Sequence, residues 1–119
     1  MFEPKLHVTV EPYDTAHQAQ VVRLSGDFDK IGLEHVRDTF TSLSETFAGK
    51  YLIFDCEQLQ FINSEGIGFL VGLYTHVKNK GGIFCLVKAR DHVRDVFEAL
   101  GLWNIIQHPD SIEACYNLS

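Results

Sequence analysis

Apolar and polar positions follow a regular order along this chain. Leu6-His7-Val8-Thr9-Val10 alternates and stops at Glu11-Pro12-Tyr13-Asp14, which predicts a strand and a turn. Ala19 to Ser25, with Val21, Val22 and Leu24, predicts a second strand closed by Gly26 and paired antiparallel with the first. Asp27-Phe28-Asp29 then opens a helix to about Phe47, with Ile31, Leu33, Val36, Phe40, Leu43 and Phe47 on one face. Tyr51-Leu52-Ile53-Phe54 is a short unbroken apolar run of the kind that parallel strands show when helices cover them. A loop through Leu59, Phe61 and Ile62 leads to Asn63-Ser64-Glu65. There a second helix begins, running to about Lys80 and ending at Gly81-Gly82.

Ile83 to Val87 predicts another buried strand, and Arg90 to Leu100 a third helix with Val93, Val96, Phe97 and Leu100 inward. Trp103 to Ile106 reads as a short last strand and Ile112 to Leu118 as a last helical segment. The order implies an α/β fold: a mixed sheet of four to five strands, the later ones parallel, with helices mainly on one face. No repeat, linker or low-complexity tract interrupts it, so residues 1–119 are expected to form a single domain.

Charge narrows the classes of partner. Ten Lys and Arg against sixteen Asp and Glu leave a net charge of -6, opposite to what a nucleic-acid backbone or an anionic membrane surface attracts. No apolar stretch is long enough for a membrane span, and Met1 to Tyr13 carries too many charges for a signal peptide. The three cysteines, Cys56, Cys85 and Cys115, have no metal-ligand spacing, so a reducing cytoplasmic setting is the default expectation.

The informative stretch is Phe61-Ile62-Asn63-Ser64-Glu65-Gly66-Ile67-Gly68-Phe69-Leu70. Gly66, Gly68 and Gly72 fall early in a helix, where each glycine costs about 1 kcal/mol relative to alanine. Close packing within the protein accounts for such glycines, as does close approach of a partner. Ser64 stands where the helix starts, as a cap or as a phosphate acceptor, because the same unpaired N–H groups and dipole serve both. Phe69 and Leu73 lie off the sheet-facing side, placed to anchor a partner or to pack on the third helix.

Five segments in order carry a family resemblance: Leu24-Ser25-Gly26-Asp27-Phe28-Asp29, Leu52-Ile53-Phe54-Asp55, Phe61 to Gly68, Lys80-Gly81-Gly82, and Phe97-Glu98-Ala99-Leu100-Gly101-Leu102. Over about residues 6–116 the chain resembles the STAS domain of bacterial anti-sigma factor antagonists. The family's motif reads Asp-Ser-(Ser/Thr)-Gly-(Leu/Ile)-Gly, and Ser64 falls on its phosphorylated serine. The resemblance implies that the unphosphorylated domain binds an anti-sigma factor, a serine kinase of the GHKL type. Phosphorylation of Ser64 would release it, and a serine phosphatase would reset it. The contact residues implied are Asp27, Asp29, Asn63, Ser64, Glu65, Gly66 and Gly68, to which the helix-face reading adds Phe69. No cofactor is implied, since ATP belongs to the kinase. Asn63 replaces the motif's aspartate, and Glu65 puts a negative charge beside the acceptor. Two other functions fit the same fold: a non-switching scaffold or transport-complex subunit, and a sensor with a nucleotide or lipid at the helix start.

The remaining candidates are weaker. Asp55 after a buried strand suggests a phosphoacceptor receiver domain, but the acidic pair and the helix such a domain needs after its first strand are missing, and Asp55 reads as a loop or cap acid. Asp27 and Asp29 read as helix-capping acids. The six histidines have no i, i+4 ligand pair. Cys56 at a strand end is a candidate reactive thiol, although nothing cationic adjoins it. No nucleophile-base-acid set, phosphate loop or dinucleotide fingerprint occurs, and the chain does not read as an enzyme.

Overall fold

The computed structural model describes residues 3–118; residues 1, 2 and 119 of the expected domain lie outside the described residues. Strand β1 (His7–Val10) runs antiparallel to β2 (Ala19–Phe28), with Val10 opposite Val22. After helix α1 (Lys30–Thr46) the chain returns as β3 (Tyr51–Ile62), parallel to β2. Helix α2 (Ser64–Asn79) leads to β4 (Ile83–Val87), parallel to β3, and helices α3 (Asp91–Ala99) and α4 (Ile112–Cys115) follow. The sheet has four strands in the order β1-β2-β3-β4, the mixed α/β arrangement expected.

Alternation along the strands sorts side chains onto two faces. Val22, Leu24, Leu52, Phe54, Phe84 and Leu86 join the main core with α1, α2 and α3. Tyr51, Ile53, Cys85 and Val87 point the other way, where α4 covers them with Cys115. The unbroken run Tyr51 to Phe54 is explained by this: both faces of β3 are covered there.

Several local expectations are corrected. Leu59 to Ile62 is not a loop, because β3 continues through it, Asp27 pairing with Phe61 and Phe28 with Ile62. Glu57 to Gln60 looks polar and loop-like, but the start of α3 and the residue before it fix its backbone: Arg90 Nε donates to Glu57 O at 2.8 Å, and the His92 ring hydrogen-bonds Gln60 O. Trp103 to Ile106 is not a strand. Gly101 turns the chain at φ 76° into a 3₁₀ turn, Leu102–Asn104, and Leu102 O accepts from Ile105 and Ile106 N–H. Only Gln107 reaches the sheet, bridging to Cys85. The last helix stops at Cys115 rather than Leu118. Ile31 and Leu100, both expected inside, are exposed at 37% and 57%.

Asp55 is neither a loop acid nor a cap. It is buried in β3, paired with the Arg23 guanidinium, and accepts from Glu57 N–H at 3.0 Å. Arg23 also donates to Glu11 Oε1 at 2.7 Å, so one arginine links β2, β3 and the end of the first hairpin strand. Cys56 is buried, and burial together with the Asp55 charge pushes its thiol far above the usual range; it is not a reactive thiol.

Candidate functional site

The ladder that pairs Phe28 with Ile62 ends β2 and β3 on the same rung, so α1 and α2 begin side by side. Each helix is capped by the residue that follows. Asp29 Oδ1 accepts from Gly32 N–H at 2.8 Å. Asn63 Oδ1 accepts from Glu65 N–H at 3.0 Å and Gly66 N–H at 3.3 Å. Of the two acids expected to cap α1, only Asp29 does so. Asp27 lies in β2, half-buried, its N–H 3.4 Å from Lys5 O.

Ser64 is not the cap. It is the first residue of α2 and exposed, and the capping oxygen comes from Asn63. The hydroxyl therefore stands at the positive end of the helix dipole with its capping task done by a neighbour. Glu65, next in sequence, is also exposed.

The three glycines separate into two kinds. A Cβ on Gly66 would lie 2.6 Å from Phe28 O, so this glycine lets α2 rest on the end of β2. A Cβ on Gly68 or Gly72 would meet nothing within 4 Å. These two form the floor of an open groove of about 540 Å³ between α1 and α2, walled by Phe40, Ser44, Phe69, Leu73 and His76. Internal packing explains the first glycine and leaves the other two facing outward.

Phe69 packs on α1, its ring stacking on Phe40 at 4.8 Å and meeting Phe28 of β2 at 6.1 Å, and Leu73 lines the same groove between α1 and α2. Leu73 is buried and Phe69 half-buried, so of this pair only Phe69 keeps surface for a partner. Sequence reasoning missed two exposed apolar residues near the paired helix starts, Ile31 in the first turn of α1 and Phe61 three residues before Ser64, the latter 47% exposed. Both had a signal. Ile31 is two residues from buried Leu33 and cannot share its helix face, and Phe61 precedes buried Ile62 in an extended chain.

Among the described residues no three His, Cys, Asp or Glu side chains gather as a metal site, and no helix is long and apolar enough to cross a membrane.

These features define a domain that presents a serine, at the head of a helix, on a surface of mixed acidic and apolar residues. The chain belongs to the STAS domain family, whose profile matches residues 12–115. It is 27% identical over 86 residues to an anti-sigma F factor antagonist from Paenibacillus polymyxa, covering 72% of this chain and 74% of that one. Among solved structures it resembles the anti-sigma factor antagonist SpoIIAA in its unphosphorylated form, with TM-score 0.73 and 25% identity over 92% of this chain and 93% of that one. An anti-sigma factor antagonist from Mycobacterium paratuberculosis has the same fold, with TM-score 0.78 and 21% identity over 92% and 89% of the two chains.

Proposed function

We propose that this STAS domain is an anti-sigma factor antagonist in a partner-switching pathway of the bacterial cytoplasm, and a binding protein rather than an enzyme. Unphosphorylated, it binds an anti-sigma factor of the GHKL-kinase type through Asp27, Asp29, Asn63 to Gly66, Gly68 and Phe69, with Ile31 and Phe61 adding apolar contact. Phosphorylation of Ser64 by that kinase weakens the contact, and a serine phosphatase restores it. The domain needs no cofactor of its own.

The observation that carries this reading is the exposed Ser64 at the first position of α2, freed from capping by Asn63. A phosphate there adds about -1.5 to -2 charges. The α2 dipole offsets part of that charge for the protein itself. A partner docked across Phe61 and Glu65 has no such compensation: it would bury a new anion beside an existing carboxylate.

One observation favours the non-switching scaffold instead. Asn63 already occupies the Glu65 and Gly66 N–H groups that would otherwise receive a phosphate. The decisive experiment isolates the native protein with phosphatases blocked and maps phosphate by intact mass and peptide sequencing. Pull-downs with Ser64→Ala and Ser64→Asp run beside it. Phosphate on Ser64, with a GHKL-type kinase held by the alanine form and lost by the aspartate form, supports the switch. Absence of phosphate under all growth conditions, with binding indifferent to both variants, leaves the scaffold reading.

A further inference from the structure

A second site lies at the carboxyl end of β4, away from the residues discussed above. We propose that the cleft there binds a phosphate monoester of a small polyhydroxyl compound, the chemistry shared by sugar phosphates and mononucleotides. The cleft holds about 380 Å³, within the range of roughly 300 to 1,000 Å³ seen for small-molecule sites. It opens beyond the carboxyl end of β4, the edge strand of the sheet, beside α3.

Its walls supply three kinds of contact. Lys88 and Arg94 are the cations for a phosphate. Lys88 is held at φ 62°, a left-handed backbone that strains a non-glycine residue, right where β4 ends. Arg94 is steadied by donating Nη2–H to Ala89 O at 3.3 Å, with Asp91 Oδ1 no nearer than 3.9 Å. A rigid aromatic wall follows: Trp103 stacks flat on His108 at 4.2 Å, and the Phe97 ring packs on Trp103 at a steep angle at 5.0 Å. The hydrogen bond from His108 Nδ1 to Ile106 O, 3.2 Å, fixes that ring and leaves Nε2 as a further polar atom.

The third kind of contact decides the ligand class. Glu98 and Asp110 also line the cleft, so its charges balance and a bare anion gains little there. Yet among the described residues Lys88, Glu98 and Asp110 enter no ion pair within 4.0 Å. Cations and carboxylates thus stand apart in one small cleft. That suits a molecule with an anion at one end and hydroxyl donors at the other, the carboxylates accepting from the hydroxyls as an acidic residue accepts from ribose in dinucleotide sites.

Trp103 is the single tryptophan of the chain and reports this cleft directly. The full-length protein is titrated with ribose 5-phosphate, AMP and inorganic phosphate while Trp103 fluorescence is followed. Both esters are expected to give a saturable change and to bind at least ten-fold more tightly than inorganic phosphate. Lys88→Gln and Arg94→Gln should each weaken the esters by about ten-fold, the loss of one charge-assisted hydrogen bond. Glu98→Gln should reduce the preference for esters, and Ser64→Ala should change nothing. Circular dichroism confirms that each variant is folded, and nuclear magnetic resonance of the Trp103 indole in the unmodified protein gives an independent reading. No saturable response to either ester at millimolar concentration overturns the proposal. So does inorganic phosphate bound as well as the esters, or affinity untouched in both cation variants.

Discussion

The ring of Phe69 lies against that of Phe40, centroids 4.8 Å apart and planes 23° from parallel, and this stack holds the helix bearing Ser64 against α1. Phe40 is fully buried and also contacts Phe28 and Phe54, so it stands at the middle of an aromatic chain through the core. Phe40→Ala is expected to destabilise the fold by about 3 to 5 kcal/mol. Half-buried Phe69→Ala should cost less, about 1 to 2 kcal/mol. Urea unfolding of the two variants checks the order; equal losses would show that Phe69 is as deeply embedded as Phe40.

Glycine-to-alanine changes in α2 should split in sign. Gly66→Ala drives a Cβ to within 2.6 Å of the Phe28 carbonyl oxygen, a backbone atom that cannot swing aside, and should cost about 2 kcal/mol. Gly68→Ala and Gly72→Ala meet open space and should stabilise the helix by roughly 0.5 to 1 kcal/mol each. Thermal melts read all three. If the outward glycines serve a partner, the two stabilised variants should also lose binding. Stabilisation with binding kept would remove Gly68 and Gly72 from the docking surface.

Asn63→Ala removes the acceptor for two backbone N–H groups and should cost about 1 kcal/mol. Asn63→Asp keeps the cap and adds a charge at the favourable end of the dipole, so it should match or exceed the parent by a few tenths of a kcal/mol at neutral pH. Screening by salt should erase that gain. A cap variant indistinguishable from the parent would mean that Ser64 or water takes over the N–H groups.

Replacing Arg23 by methionine leaves Asp55 buried without its cation. Arg23 is half exposed, so solvent softens the loss, and about 1 to 2 kcal/mol is expected. The double variant Arg23→Met with Asp55→Asn should recover part of it. A cycle with no coupling between the two positions would contradict the pairing.

Acid should loosen the hairpin between β1 and β2 before it unfolds the sheet. Hydrogen bonds from the His17 side chain and backbone hold the exposed Asp14 carboxyl below its ordinary value of 3.8. A lowered folded-state value means that the carboxylate's stabilisation is present above the unfolded value and is lost as pH falls through the folded one. The His17 ring stacks on Tyr116 at 3.9 Å, so its resonances should move in that acid window, and Asp14→Asn should abolish the movement. A movement unchanged in Asp14→Asn would assign it to another group.

Most of the fold was legible because covered strands and amphipathic helices write their burial into the sequence. Tyr51 to Phe54 and Ile83 to Val87 are apolar because both faces of the sheet are packed there. The extension of β3 from Glu57 to Gln60 was not, since its pairing is set by β2 and by Arg90 and His92 more than thirty residues away. Trp103 to Ile106 has the composition of a strand, but the left-handed turn at Gly101 rolls it into a 3₁₀ turn. At the site, Ser64 and the helix starts were legible from motif and capping chemistry. That only Gly66 of the three glycines is packed inward depends on the Phe28–Ile62 rung, which no local pattern states.

The molecule also has a direction. Ser64 and the Lys88 cleft lie where parallel strands end, while Tyr51, where β3 begins, donates its hydroxyl to Leu118 O at 2.8 Å and ties the last described residues to the opposite end. Lys5, by contrast, hydrogen-bonds Asp27 beside the candidate surface. An affinity tag or immobilising linker attached on the Leu118 side is therefore anchored at the end opposite Ser64, whereas one attached on the Lys5 side is anchored beside the candidate surface. A surface-capture assay built on the second arrangement would report the tether's shadow as weak binding.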